Sequence, residues 1–232
     1  MNNFLAFSFD QLPFVFLALI LAFTLHEFAH AITADKFGDD TPRSMGRVTL
    51  NPAVHLDVLG TILIFLVGFG WAKPVLIRRS AFKKPRLMSV IVSVAGPLAN
   101  LLLAFVGMLI MYLLANYGVF ETMSPGLRNA VLLFLVLLIR LNFVLFLFNL
   151  LPLPPLDGYR ILQEFLPLRA RLAVQQYEQW AVYLFLLFVF IPPLYSKTIG
   201  AWLALRYPLR ELLDAPLRAL FGSGIDWIML GL

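Results

Sequence analysis

A chain of 232 residues that is 61% hydrophobic and 13% charged, with a mean hydropathy of +0.86, lies far from a soluble domain, which runs roughly 45–50% apolar and about 25% charged. That composition excludes a soluble enzyme, a disordered chain and a disulfide-stapled secreted domain, and the absence of cysteine removes iron–sulfur and thiolate-zinc chemistry. The net charge is +5, with basic residues in loops between apolar runs, the habit of a membrane protein rather than of a nucleic-acid binder.

The first eleven residues, MNNFLAFSFDQ, hold no Lys or Arg, so they do not read as the n-region of a secretory signal. The apolar run at 12–34 carries His26, Glu27 and His30 and is expected to stay as a first transmembrane helix. Residues 47–51 (RVTLN) alternate β-branched and polar side chains, which predicts a short membrane-associated edge strand. The run at 58–72 (VLGTILIFLVGFGWA) is short of a full span and reads as a re-entrant segment. Spans are predicted at 87–115, at 129–151 and at 179–203, the last kinked or broken by Pro192 and Pro193. The tail LRELLDAPLRALF has the pattern of an amphipathic surface helix or of a packed or frayed terminus. The expectation is an all-α polytopic membrane protein of about four transmembrane helices, with the re-entrant segment and the small β element. It forms a single domain over residues 1–232, with a core at 12–165 and a C-terminal helix and tail at 177–232.

Loop charge orients the spans. Lys36, Arg43 and Arg47, then Lys73, Arg78, Arg79, Lys83, Lys84 and Arg86, crowd residues 35–86, whereas 116–128 holds Arg128 as its one basic residue. The positive-inside rule places 35–86 and 152–178 in the cytoplasm, with the N-terminus and 116–128 outside. That arrangement requires 58–72 to enter and leave on the same side.

LHEFAH, near the end of the first helix, is an H-E-x-x-H element. Histidines four apart on a helix differ by about 40° in azimuth, so both rings reach one metal ion, and the Glu between them can take a proton from a water that zinc acidifies. With three His and five Glu in the chain, about 0.001 chance matches are expected. The competing reading is a pair of packed helix histidines, but three ionisable groups in an apolar span cost several kcal/mol unless paired or metal-bound. A catalytic zinc needs a third ligand and an open position. The candidates are His55, Asp57 and Asp157, the last in NLLPLPPLDGYR beyond the 129–151 span. Asp157 shares a membrane face with His26 and His30 only if 58–72 is re-entrant.

HEFAH, then GRVTLNPAVHLD, GWAKPV, SVAGPLANLLLAF and FNLLPLPPLDGYRIL, together resemble the site-2 protease family of intramembrane zinc metalloproteases. The compact bacterial members without PDZ or CBS domains are the most similar, and the resemblance covers roughly residues 15–165. It implies that His26, His30 and Asp157 bind one Zn2+ per chain and that Glu27 activates water. It further implies that Asn149 steadies the substrate carbonyl or oxyanion. The implied activity is hydrolysis of peptide bonds in a membrane-spanning protein substrate, as in regulated intramembrane proteolysis. The implied setting is the bacterial inner membrane, with the lipid bilayer around the protein and the zinc toward the cytoplasmic side. An edge at 47–51 would offer an unwound substrate a pairing partner by strand addition. The alternative is a catalytically silent homologue or a metal-binding carrier. A carrier needs ligands leading to both faces, and a silent homologue should lack a ligand or the base.

Three further features stand out. Gly96, Pro97 and Asn100 in GPLAN read either as a small-residue packing face with a proline kink or as a device that lets this helix approach the zinc helix closely and sets an amide near the site. Arg140 sits mid-span beside Asn142, where a central Arg costs about 2.5–3.5 kcal/mol on insertion scales; it reads as a packing or assembly residue. His55 and Asp57 read as a solvated loop pair or as groups near the metal.

Overall fold

The computed structural model describes residues 7–67, 70–222 and 224–232. Three helices among them are long and apolar enough to cross a membrane, which makes this an integral membrane protein. They are α1 (Leu12–Lys36), α4 (Pro85–Asn116) and α6 (Pro125–Asn149). Each begins with proline in its first turn, where the missing N–H costs no helical bond. At 1.5 Å per residue, α4 is about 48 Å long. Between α1 and α4 lie the one-turn α2 (Thr41–Ser44) and α3 (Val58–Val67), and α5 (Val119–Thr122) links α4 to α6.

α4 packs against both α1 and α6, and α1 also packs against α6. A stripe of small residues on α4 lets the neighbours approach: at Gly107 a Cβ would lie 2.8 Å from Ile139 Cγ1. Met108, Met111 and Tyr112 of α4 pack with Leu135, Ile139 and Phe143 of α6, and Val15, Leu19 and Phe23 of α1 meet Leu137 of α6 and Ile64 of α3.

α3 is ten residues, about 15 Å, and the chain then doubles back. Lys73 N–H donates to the His55 carbonyl at 2.8 Å, so the segment ends where it began. A Cβ at Gly60 would run into the Trp71 backbone and one at Gly70 into the Gly60 carbonyl, so neither position has room for one. Asp57 caps α3 by accepting from Gly60 N–H at 2.8 Å.

Residues 47–51 form no strand. The groups an edge would present are already bonded locally: the His55 ring donates to the Thr49 carbonyl at 2.8 Å, and Asn51 N–H donates to Thr49 Oγ1 at 3.2 Å. Arg47 is buried and its guanidinium donates to the Val54 and Lys73 carbonyls, bracing the base of the hairpin.

After α6 come α7 (Asp157–Phe165) and α8 (Leu168–Gln175). The expected fourth span is broken into three helices, α9 (Glu178–Phe190), α10 (Pro192–Lys197) and α11 (Ile199–Leu203). Pro192 and Pro193 supply no N–H to continue α9, and α9 alone, at 13 residues, falls short of a crossing. α12 (Arg206–Phe221) is packed rather than spread on a surface. Its Leu217 joins the core cluster at Tyr112, and its Asp214 is fully buried. Asp214 accepts from Tyr112 Oη and Trp227 Nε1 at 2.7 Å each and from Arg218 Nε at 2.8 Å. Arg140 is exposed on the outer face of α6 with no hydrogen-bond or ion-pair partner among the described residues, while Asn142 is fully buried.

Candidate metal centre

His26 and His30 stand on the last turns of α1, both buried. Their outward nitrogens are tied down. His30 Nδ1 lies 2.7 Å from the Val92 carbonyl, which can only accept, so that nitrogen carries the hydrogen. His26 Nδ1 lies 2.7 Å from Asn100 Oδ1. Both Nε2 atoms therefore face inward as bare acceptors in the neutral rings, 3.0 Å apart.

Asp157 arrives from a different part of the chain. The proline-rich residues 151–156 turn without helix or strand, and Asp157 is the first residue of α7. Gly158 permits the approach, because a Cβ there would collide with the backbone of Leu150 and Leu151. α7 is held by its outer residues. Tyr159 Oη and Gln163 Nε2 donate to Glu178 at 2.9 and 2.7 Å, and Arg79 and Arg171 grip the buried Glu164 at 2.8 and 2.9 Å. Burial, with the Glu178 carboxylate beside it, pushes the Tyr159 phenol up to about 12.

Asp157 Oδ2 lies 3.2 Å from each histidine Nε2. Three buried acceptors thus form a triangle with edges of 3.0–3.2 Å. Donors about 2.0–2.1 Å from a tetrahedral zinc stand about 3.3 Å apart, so this donor set fits a zinc ion. Nothing else among the described residues donates into the triangle, which leaves three lone pairs converging on one point. Gly96 of α4 makes room for it. A Cβ at Gly96 would lie 2.6 Å from His30 Cε1 and 2.7 Å from His26 Nε2, and closer still to His30 Nε2.

The triangle opens on a cavity of about 490 Å³ with largely apolar walls, among them Phe23, Trp71, Phe148 and Phe185. Glu27 lines it, buried, and its Oε2 accepts from Val75 N–H at 3.0 Å. Asn149, the last residue of α6, lines it as well, with its Nδ2 donating to the Leu145 carbonyl at 2.9 Å. An amide nitrogen carries two hydrogens, so one donor of Asn149 is left over from that bond. Of the other third-ligand candidates, His55 and Asp57 belong to the base of the hairpin. The close approach of α4 at Gly96 and the Asn100 amide at His26 are what GPLAN suggested, whereas the Val92 carbonyl and the Val75 amide carry no mark in the sequence.

The model of peptidase family M50 matches residues 14–134 and 125–192 of this chain. A Bacillus subtilis (strain 168) protein named "Putative zinc metalloprotease YwhC" is 49% identical over 201 residues, 86% of this chain and 90% of that protein. A Mycolicibacterium smegmatis protein named "Putative zinc metalloprotease Rip2" is 32% identical over 180 residues, 75% of this chain and 66% of that protein. Its namesake from Mycobacterium tuberculosis (strain ATCC 25618 / H37Rv) is 31% identical over 188 residues, 79% of this chain and 67% of that protein. No solved structure matches this chain significantly.

Proposed function

The chain belongs to peptidase family M50, the site-2 protease family, and from that premise we propose that it is an intramembrane zinc endopeptidase acting on membrane-spanning protein substrates. The observation that carries this reading is the convergence of three buried acceptors, His26, His30 and Asp157, beside a carboxylate in one cavity. His26, His30 and Asp157 hold a single zinc. When bound, zinc supplies a Lewis acid and lowers the pKa of water toward about 7.

The chain's own groups supply the rest. Glu27 takes the proton from the attacking water and delivers it to the amide nitrogen as the C–N bond breaks, so water adds across the peptide bond. The Val75 N–H holds that carboxylate in place. The spare N–H of Asn149 is the donor offered to the substrate carbonyl as charge develops on its oxygen. The apolar walls limit bulk water at the reacting bond.

Depth supports a cytoplasmic-side site. The eleven residues from Pro85 to Gly96 rise about 16 Å, and the twenty from Gly96 to Asn116 about 30 Å. The metal thus lies nearer the end of α4 that carries the basic residues, which the positive-inside rule puts in the cytoplasm. The doubled-back path of 58–72 fits a segment that enters and leaves on that side, in the inner membrane of a bacterium. The chain lacks cysteine, so Lys84→Cys provides a single exposed label site. A membrane-impermeant maleimide is expected to modify it only after permeabilisation, and modification from outside intact cells would overturn this orientation.

The direct test uses the purified full chain in detergent. It is expected to retain about one zinc per chain, with a solubilised single-span membrane protein cleaved within its span. Removing the metal with 1,10-phenanthroline stops the cleavage, and added zinc restores it. Wild-type protein without zinc, or cleavage that survives complete metal removal, would overturn the assignment.

A further inference from the structure

Beyond the ligand triangle, a chain of hydrogen bonds runs from His26 through α4 to α6. Asn142 Nδ2 donates to the Leu138 carbonyl at 2.8 Å. Asn100 Nδ2 donates to Asn142 Oδ1 at 2.9 Å and to the Ala22 carbonyl at 3.3 Å. Asn100 Oδ1 then meets His26 Nδ1 at 2.7 Å. Asn100 and Asn142 are both fully buried, so their orientation is set by these protein partners rather than by bulk solvent.

We infer that Asn142 and Asn100 are positioning residues that dictate which ring nitrogen of His26 faces the metal. The inference rests on the metal-site reading above. Its logic runs from the two backbone carbonyls, which can only accept. The Leu138 carbonyl demands the amide nitrogen of Asn142 on its side, which turns Asn142 Oδ1 toward α4. That oxygen and the Ala22 carbonyl demand the amide nitrogen of Asn100, which turns Asn100 Oδ1 toward His26. An amide oxygen facing Nδ1 requires the hydrogen on Nδ1, and Nε2 is left bare at the corner of the triangle. A flipped Asn100 would present N–H groups to His26 Nδ1, move the ring hydrogen to Nε2 and block the ligand position. Asn142 opposes that flip without touching a ligand of the triangle.

His30 provides the internal comparison. Its Nδ1 is held by the Val92 backbone carbonyl, so its tautomer depends on no side chain. A general loosening of the bundle would disturb both histidines, whereas loss of the relay disturbs His26 alone.

Zinc affinity of the full chain in detergent, measured by competition with a chelator of known affinity, tests the inference. Asn100→Leu is expected to weaken zinc by on the order of 10–100-fold, in line with partners that orient metal-bound imidazoles. Asn142→Leu, and Asn142→Ala read beside it, weaken zinc several-fold. In the Asn100→Leu background neither adds a further loss, because the link it acts through is gone. With only three histidines in the chain, ring N–H exchange in zinc-loaded, histidine-labelled protein gives a second readout. Protection of His26 Nδ1–H is expected to fall in the Asn142 variants while that of His30 is unchanged. Wild-type affinity in both Asn142 variants, losses at the two positions that multiply independently, or equal loss of protection at both histidines would overturn it. A protein that binds zinc as described and cleaves nothing would overturn the proposed activity and leave the relay standing. Wild type that binds no zinc would overturn both.

Discussion

Replacing Glu27 by Gln is expected to abolish the proposed peptide-bond hydrolysis while the zinc content stays at the wild-type level. Gln keeps the length and an oxygen for the Val75 N–H, now 3.0 Å from Glu27 Oε2, so the wall of the cavity is preserved. What it lacks is the capacity to accept a proton from water near neutral pH. A positioned general base typically contributes about 10²–10⁴-fold, and a loss of that order is expected in turnover, with metal content measured on the same preparation. Two results would overturn the role. Cleavage above about a tenth of wild type would remove Glu27 as the base, and a parallel loss of zinc would make it a ligand.

The second large effect belongs to a residue with no side chain. Gly96→Ala is expected to lower zinc affinity by at least about 100-fold, because its methyl enters the ligand group itself. The ideal Cβ lies 2.7 Å from His26 Nε2 and 2.6 Å from His30 Cε1, well inside van der Waals contact. Relief requires α4 to back away from α1, which pulls Asn100 from His26 and the Val92 carbonyl from His30. Both supports of the imidazoles are lost with the space between them. Gly126→Ala, where a Cβ meets nothing within 4 Å, is the control and should bind zinc as wild type does. Wild-type affinity in Gly96→Ala would show that the helices part at little cost.

The three long helices were legible because each contains a stretch long enough and, on average, apolar enough to cross a bilayer, a property independent of partners. The histidine pair was legible for a related reason: four residues on a helix is a local spacing, and the helix itself was evident. Asp157 required one inference more, the doubling back of 58–72, which rests on chain length and loop charge. What escaped was decided by contacts between distant residues. The relay joins positions 26, 100 and 142, and nothing local marks Asn142 as the partner of Asn100. The alternation at 47–51 suggested a strand, but a strand needs a partner, and the His55 ring and the Thr49 hydroxyl had already taken the groups that would pair. The fourth stretch is apolar enough to cross, yet its prolines divide it. The tail revealed its amphipathic face without revealing that Tyr112 and Trp227 would bury its Asp214.

The return arm of the hairpin has a mechanical consequence. Its Val75 amide is bonded to Glu27, and four residues later its Arg79 is clasped to Glu164, on the helix that Asp157 begins. On the function proposed above, proton acceptor and third ligand are thus moored to one short length of chain, and a polypeptide that displaced this arm would strain both moorings at once.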